Sequence, residues 1–232
     1  MRVLILAGGL GTRISALFPD VPKCLIPING KPFIQWQIEY LRAQGFREFV
    51  ICVGYRADQV MAICGDGAAW GISVQYSVEE TPQGTGGALS IAERYLTDTS
   101  LVLNGDTYLE TDYGTFIRAH KEAARNEPLV ASIALISMPA HEGSGRVIQG
   151  EHGRISIFLE KGSGEGEGYI NAGAYVFEPE IVRHIGDGTS SLEHDVFPAL
   201  AEAGVLHGAP VTGTFTDMGT PEGLAALEKK FV

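Results

Sequence analysis

Residues 2–13 read Arg2-Val3-Leu4-Ile5-Leu6-Ala7-Gly8-Gly9-Leu10-Gly11-Thr12-Arg13. The first six form an apolar run with β-branched members, the composition of a strand buried in a parallel sheet. The run passes without a break into three glycines in four positions. Backbone N–H groups in such a turn can approach a ligand with no Cβ in the way. Successive N–H groups form an anion-binding concavity, and Arg13 adds a planar cation suited to phosphate oxygens. A tight strand-to-helix turn with no ligand is the plainer reading. Arg13 at the loop's end and Pro22-Lys23 about one loop-length later weigh against it. The spacing also fails two common alternatives: a Walker loop needs Lys directly after Gly, and a dinucleotide fingerprint needs G-x-G-x-x-G opening a helix. The turn reads as a triphosphate cradle at the end of a buried strand.

Working outward, short strands alternate with helical segments. Ile34, Ile38 and Leu41 recur at helical spacing between Pro32, placed at the first helical position, and Gly45, a C-terminal stop. Glu48–Val53 reads as a strand, Ala57–Cys64 as a helix and 72–78 as a third strand. A second glycine turn, Gly84-Thr85-Gly86-Gly87, opens a helix carrying Leu89, Ala92 and Leu96. Strand 100–103, helix 111–125 and strand 129–136 follow. This alternation predicts an α/β fold with a doubly wound, mostly parallel sheet. The rhythm breaks at 146–148 and 154–158, which read as a hairpin and predict a small antiparallel excursion near residues 145–177. Residues 162–168 are glycine-rich and acidic and read as a linker or lid. Strand 174–177 follows, then a capping box at Ser190 and Glu193 that starts a helix with Leu192, Val196 and Leu200. Thr214–Asp217 is the last strand, and Thr220-Pro221 opens a closing helix with Leu224, Leu227 and Phe231 on one face.

The totals set bounds. A chain of 232 residues, 45% hydrophobic and 9% aromatic, is long enough for one α/β domain with an ordinary core. Thirty glycines gather in motif-like turns and favour a loop-built ligand site. A net charge of −11 argues against nucleic acid but not against nucleotides, since a few local cations suffice inside a screened cleft. Three cysteines are too few and oddly numbered for a disulfide framework, which fits a reducing cytoplasm. No apolar run approaches 18 residues and the first ends at Gly8, so neither a spanning helix nor a secretory leader is expected.

Strand 100–103 delivers Asn104-Gly105-Asp106. A carboxylate just past the C-terminal end of a buried strand sits in the crevice where open α/β sheets bind ligands. There Asp106 would offer a hard oxygen to Mg²⁺, which usually takes one or two carboxylates plus substrate phosphates. An Asn-Gly turn with a solvated Asp is the alternative. Asp217 is a second strand-end acid. His141 and Glu142 have no partner nameable from sequence and read as solvated loop residues.

L-A-G-G-x-G-T-R followed by P-K resembles the signature of the sugar-phosphate nucleotidyltransferases, the nucleotide-sugar pyrophosphorylases. The likeness runs in order from Leu6 to Gly219. It implies one nucleotidyltransferase domain over 1–232, Rossmann-like and of the nucleotide-diphospho-sugar transferase type. Nucleotide would be held by roughly 1–110 and sugar phosphate by roughly 111–219, with a closing helix at 220–232. It implies nucleotide contacts from Leu6, Gly8, Gly9, Gly11, Thr12 and Arg13, and nucleobase contacts from Gln83, Gly84 and Gly87. Asp106 and Asp217 match the family's metal acids. Gly145, Glu160, Lys161 and Asn171 match its sugar-phosphate site, with Lys161 gripping the phosphate. The string Ser191 to Pro198 recurs in the family and reads as structural.

The reaction so implied is attack of a sugar 1-phosphate oxygen on the α-phosphorus of a nucleoside triphosphate, with pyrophosphate leaving. The attacking phosphate is already ionised, so alignment and charge neutralisation matter more than a general base. Arg13 would face pyrophosphate, Lys23 the α-phosphate and Lys161 the sugar phosphate, around Mg²⁺ on Asp106 and Asp217. E-x-P-x-G-T-G-G-A, N-G-D-T, N-A-G and F-x-D-x-G-T-P-E look most like the short guanylyltransferases acting on D-glycero-α-D-manno-heptose 1-phosphate, whose product feeds surface polysaccharides. Gly143-Ser144-Gly145 departs from their usual Arg-Tyr-Gly and leaves the sugar open. Acetylmuramate 1-phosphate uridylyltransferases and mannose 1-phosphate guanylyltransferases remain competitors. The expected partners are GTP and a sugar 1-phosphate, without nucleic acid or membrane, and a homo-oligomer is compatible. Two other classes stay open: an NAD-dependent oxidoreductase, which lacks the acid expected about 20 residues past the loop, and a catalytically silent nucleotide-sugar-binding subunit.

Overall fold

The structure is a computed structural model that describes residues 1–9, 14, 17–139, 146–159 and 167–231. Strand β1 (Arg2–Leu6) lies at the centre because its residues from Val3 onward are buried on both sides. A 3-10 turn (Lys23–Leu25) and a two-strand ribbon, β2 (Pro27–Ile28) with β3 (Lys31–Pro32), lead into α1 (Phe33–Ala43). Pro32 stands just outside α1 as its N-cap, where its missing N–H costs nothing. Then come β4 (Glu48–Val53), α2 (Ala57–Cys64), β5 (Ser73–Val78), α3 (Gly84–Ile91) and β6 (Ser100–Asn104). These strands build the parallel body, in the order β5-β4-β1-β6.

The second half adds β7 (Thr107–Glu110), α4 (Tyr113–Asn126), β8 (Ala131–Pro139), β9 (Arg146–Gln149), β10 (Ile155–Leu159) and β11 (Glu167–Phe177). Strand β11 runs antiparallel to β6 and carries β8 and the β9–β10 hairpin beyond it. After a five-residue π turn (Leu192–Val196) come α5 (Phe197–Glu202), β12 (Leu206–Pro210), β13 (Thr214–Asp217) and α6 (Pro221–Lys230).

Alternation along β1 explains the double winding. Val3 and Ile5 pack with Ile34, Ile38, Val60 and Phe116, whereas Leu4 and Leu6 pack with Leu89, Phe197 and Leu200. Side chains alternate across a strand, so helices cover both faces. A third cluster, with Ile26, Ile28, Phe33, Tyr108, Met218 and Leu227, fastens α6 and β7 to α1. Trp36 and Phe231 stack there with ring centroids 4.2 Å apart.

The α/β expectation holds, with four differences of detail. Strand β12 has the unpromising sequence Leu206-His207-Gly208-Ala209-Pro210, yet it pairs in parallel with β8, because tertiary pairing outweighs propensity. Strand β11 begins at Glu167, inside the stretch that reads as a linker. Strand β13 is not part of the main sheet; it pairs with β7 in a separate antiparallel ribbon. The helix expected from Ser190 begins as the π turn and becomes α-helical at Phe197. Among the described residues no helix is long and apolar enough to cross a membrane.

Candidate active site

The chain leaves β5, passes through α3 and returns to the other side of β1 as β6. Such a reversal opens a crevice at the strands' C-terminal ends. A cavity of about 420 Å³ lies there. Gly105 closes its floor: its N–H donates to Leu6 O at 2.9 Å, and a Cβ on it would stand 2.6 Å from that oxygen. The next residue, Asp106, therefore emerges beside the Gly8-Gly9 turn.

One end of the cavity is charged. Lys23 projects from its 3-10 turn, anchored by buried Cys24 and Leu25, and forms an ion pair with Asp106 Oδ2. Asp217 ends β13, and the β13–β7 register sets it opposite Thr107, the neighbour of Asp106. Met218 N–H donates to Asp106 O at 3.0 Å, and Gly219 N–H donates to Asp217 Oδ1 at 2.7 Å. Thr220 then caps α6 by accepting from Gly223 N–H at 3.0 Å. A Cβ on Gly219 would overlap Lys23 Nζ and stand 2.8 Å from Asp217 Oδ1. Lys23 is thus held between the two acids, with its side chain only 11% exposed.

Two carboxylates on one wall suit a hard cation that keeps most of its ligands as water and phosphate oxygens. Among the described residues there is no cluster of three or more metal-type side chains, so no all-protein cage is present. The donor set therefore fits Mg²⁺ arriving with a nucleotide. A cation bound at Asp106 Oδ2 would have to displace Lys23 from that oxygen.

Leu6, Gly8 and Gly9 line the same cavity, as do Glu79, Pro82 and Gly84. A Cβ on Gly8 would overlap Glu79 Oε1. Glu79 is 8% exposed, and its Oε2 accepts from Gln83 N–H at 2.9 Å. Burial pushes its carboxyl above the usual range, and the Gln83 bond partly offsets this. The second glycine turn is packed, not open. Gly86 and Gly87 N–H both donate to Ser190 O, at 2.8 and 3.2 Å. Gly84 and Thr85 line the cavity; Gln83 and Gly87 do not, Gln83 donating to Thr81 and Gly87 packing on Gly188.

Asn171 also lines the cavity. The β11–β8 register shifts between Asn171 and Tyr175, and Gly173 within the bulge has φ +68°. A bulge re-aims a side chain, here toward the cavity. Asn171 Oδ1 accepts from Gly173 N–H at 2.9 Å, and Nδ2 donates to Tyr175 Oη at 3.0 Å and Glu193 Oε1 at 2.9 Å. Asn104 Oδ1 is buried at the same wall with no hydrogen-bond partner among the described residues.

Of the residues singled out from sequence, the structure brings Leu6, Gly8, Gly9, Lys23, Gly84, Asp106, Asn171 and Asp217 to one cavity. Gly11, Thr12, Arg13, Gly145, Glu160 and Lys161, with His141 and Glu142, lie outside the described residues. Sequence reasoning passed over Glu79, Asn104 and Glu193. The first two follow the rule that singled out Asp106, a polar residue at the C-terminal end of a parallel strand. Glu193 was hidden inside a capping-box reading.

A family model described as nucleotidyl transferase matches residues 2–231. The chain is 33% identical over 226 residues to "Mannose-1-phosphate guanylyltransferase catalytic subunit beta" of Danio rerio, covering 96% of this chain and 62% of that one. It is 33% identical over 223 residues to "Mannose-1-phosphate guanylyltransferase" of Mycobacterium tuberculosis, covering 94% and 61%. The chain thus spans about three fifths of the length of the curated relatives it matches. Among solved structures, HddC from Yersinia pseudotuberculosis superposes with a TM-score of 0.86 at 31% identity, covering 100% of this chain and 99% of that chain. The same protein complexed with GMP-PN superposes at 0.85. A crevice floored by Gly105, walled by two acids and a lysine, and matched end to end by that model places the chain in the nucleotidyl transferase family.

Proposed function

We propose that the protein transfers a guanylyl group from GTP to a sugar 1-phosphate, releasing pyrophosphate, with D-glycero-α-D-manno-heptose 1-phosphate as the acceptor. The observation that carries this reading is the meeting of Lys23, Asp106 and Asp217 in one cavity that the Gly8-Gly9 turn also lines. Asp106 and Asp217 would hold a divalent cation, which when bound supplies neutralisation of phosphate charge. Lys23, released from Asp106, faces the α-phosphate. Arg13 and Lys161 take the pyrophosphate and the sugar phosphate, with Gly145 and Glu160 at the sugar; this part rests on the family resemblance. Residues 1–110 then serve chiefly the nucleotide and 111–219 the sugar phosphate. The three buried, unpaired cysteines suit a reducing cytoplasm.

Glu79 supports guanine. Guanine presents adjacent N–H donors on its pairing edge, and a carboxylate offers only acceptors. Uracil and thymine present one N–H between two carbonyls, which a carboxylate meets poorly. The likeness to two guanylyltransferases favours the same base. The acceptor is the less constrained half, and mannose 1-phosphate is the second candidate on the strength of those relatives.

The test is a grid of GTP, UTP, dTTP, ATP and CTP against heptose, mannose, glucose and acetylmuramate 1-phosphates, read by pyrophosphate release with Mg²⁺. The GTP row should dominate, with heptose 1-phosphate its highest cell. Turnover confined to UTP, or none in any cell, contradicts the proposal.

A further inference from the structure

Asn171 has two donors and two acceptor lone pairs to offer. Both Nδ2 hydrogens are spent, on Tyr175 Oη and on Glu193 Oε1, and Oδ1 already takes the Gly173 N–H. It can therefore accept at most one more hydrogen bond and can donate none. Glu193 lines the same cavity and stands opposite in character. Its Oε1 accepts from Asn171, and its Oε2 has no hydrogen-bond partner among the described residues. No ion pair forms there among the described residues, so the charge is left for something else.

The backbone under Glu193 is specialised as well. Leu192–Val196 is a single π turn, a geometry that recurs where a side chain must be re-aimed at a functional site. Leu192 N–H donates to Thr85 Oγ1 at 2.9 Å, which ties the turn to the mouth of α3. Ser191 Oγ accepts from His194 N–H at 3.3 Å, and Asp195 Oδ2 accepts from Ser191 N–H at 2.7 Å. The turn is thus pinned at its start by its own side chains, and Leu192 and Val196 are buried beneath it. An acceptor-only group held this firmly in the cavity lining, with one oxygen not bonded among the described residues, suits the hydroxyls of a sugar.

We propose that Glu193 is a specificity-determining residue that accepts hydrogen bonds from hydroxyls of the acceptor sugar, and that Asn171 is its positioning residue. The ribose of the nucleotide offers the same chemistry, so the test separates the two sources. This inference rests on the sugar 1-phosphate reading of the cavity.

The experiment uses the full chain and steady-state kinetics with GTP and whichever of the mannose or heptose 1-phosphates the wild type turns over. Glu193→Ala removes the acceptor; Glu193→Gln keeps an oxygen for Asn171 and serves if the alanine variant unfolds. Losing a charged hydrogen bond should raise KM for the sugar phosphate roughly tenfold to a hundredfold, with KM for GTP held within about twofold. Asn171→Ala should move the same parameter in the same direction. Sugar 1-phosphates deoxygenated at one position at a time add a readout that a structural role would not move. For one of them the wild type should lose what the variant has already lost, so that the two enzymes become equal. An unchanged KM for the sugar phosphate in a folded variant overturns the inference, and so does a rise confined to KM for GTP. A wild type inactive on every sugar 1-phosphate would instead refute the functional reading beneath it.

Discussion

Two polar clusters in this molecule both contain acids, but one is sealed and the other lines a cavity. In the first, His120 Nδ1 lies 2.9 Å from Ser132 Oγ, and His120 Nε2 lies 2.8 Å from Glu178 Oε1. Those are the residue types of a serine–histidine–acid triad, with the two ring nitrogens exchanged. His120 and Ser132 are fully buried, though, and neither lines the cavity. Thr99 Oγ1 donates to Glu178, and His207 Nδ1 sits 3.4 Å from Ser132 Oγ, so the network joins α4, β8, β12 and the residue just after β11. In the second cluster, Lys23, Asp106 and Asp217 have no histidine and no nucleophile, yet all three line a cavity, and the Asp106 side chain is 34% exposed. A satisfied buried network locks a fold. Chemistry requires groups that a ligand can still reach. Hydrogen-bond wiring alone would have chosen the wrong cluster.

The comparison breaks most easily at Asp106. Asp106→Asn should cut kcat by about a thousandfold, since it removes charge worth several kcal/mol at the transferred phosphate; stopped-flow pyrophosphate release would show it. Lys23→Met should cost roughly a hundredfold in kcat. The same variant should tighten Mn²⁺ binding to the nucleotide-free protein, measured by loss of the free-ion electron spin resonance signal, because nothing then competes for Asp106 Oδ2. Unchanged affinity would show that the ion pair does not guard the acid.

A smaller effect is expected at Glu79, on the reading that it meets the nucleobase. Glu79→Gln should lower the preference for GTP over UTP by about tenfold to a hundredfold, measured as the ratio of kcat/KM values, as one bidentate base contact would. The buried network should leave turnover untouched. His120→Gln should lower unfolding free energy by about 1–3 kcal/mol, because it strands buried partners, while kcat stays within about twofold. Burial is the main cause that holds the His120 and His207 pKa values below the ordinary imidazole value, with Glu178 opposing it at His120. A histidine depressed in the folded state stabilises above its unfolded pKa of about 6.5, and that contribution is lost as pH falls through the folded value. Urea unfolding of wild type against His120→Gln should therefore converge as pH drops below about 6.5. A gap that widens on acidification would mean the imidazolium form is the one the fold favours.

Much of this was legible in the sequence because it rests on local rules. The buried run from Val3 to Leu6, the helix from Phe33 to Ala43 and the acid after strand β6 follow from periodicity and from where strands end. What was not legible depends on contacts far apart in sequence. Strand β12 is a strand because β8 offers it hydrogen bonds, not because His207 and Gly208 favour one. The Gly84–Gly87 turn looks like open backbone, yet Ser190 takes up its N–H groups from more than a hundred residues away. Asn171 reads as a ligand contact, but both its Nδ2 hydrogens are spent on Tyr175 and Glu193, a wiring that spacing does not reveal. Lys23 and Asp106 were both found, but not their pairing, since spacing along a chain says nothing of who neutralises whom.

The central claim is that Asp106 and Asp217 share one cation beside a nucleotide phosphate. Anomalous diffraction from crystals grown with Mn²⁺ and a non-hydrolysable guanosine triphosphate tests it most directly. A single manganese peak within bonding reach of both carboxylates, with Lys23 moved off Asp106 onto phosphate, is the predicted result. Manganese bound away from both acids, or Lys23 still paired with Asp106 while nucleotide fills the cavity, would contradict it.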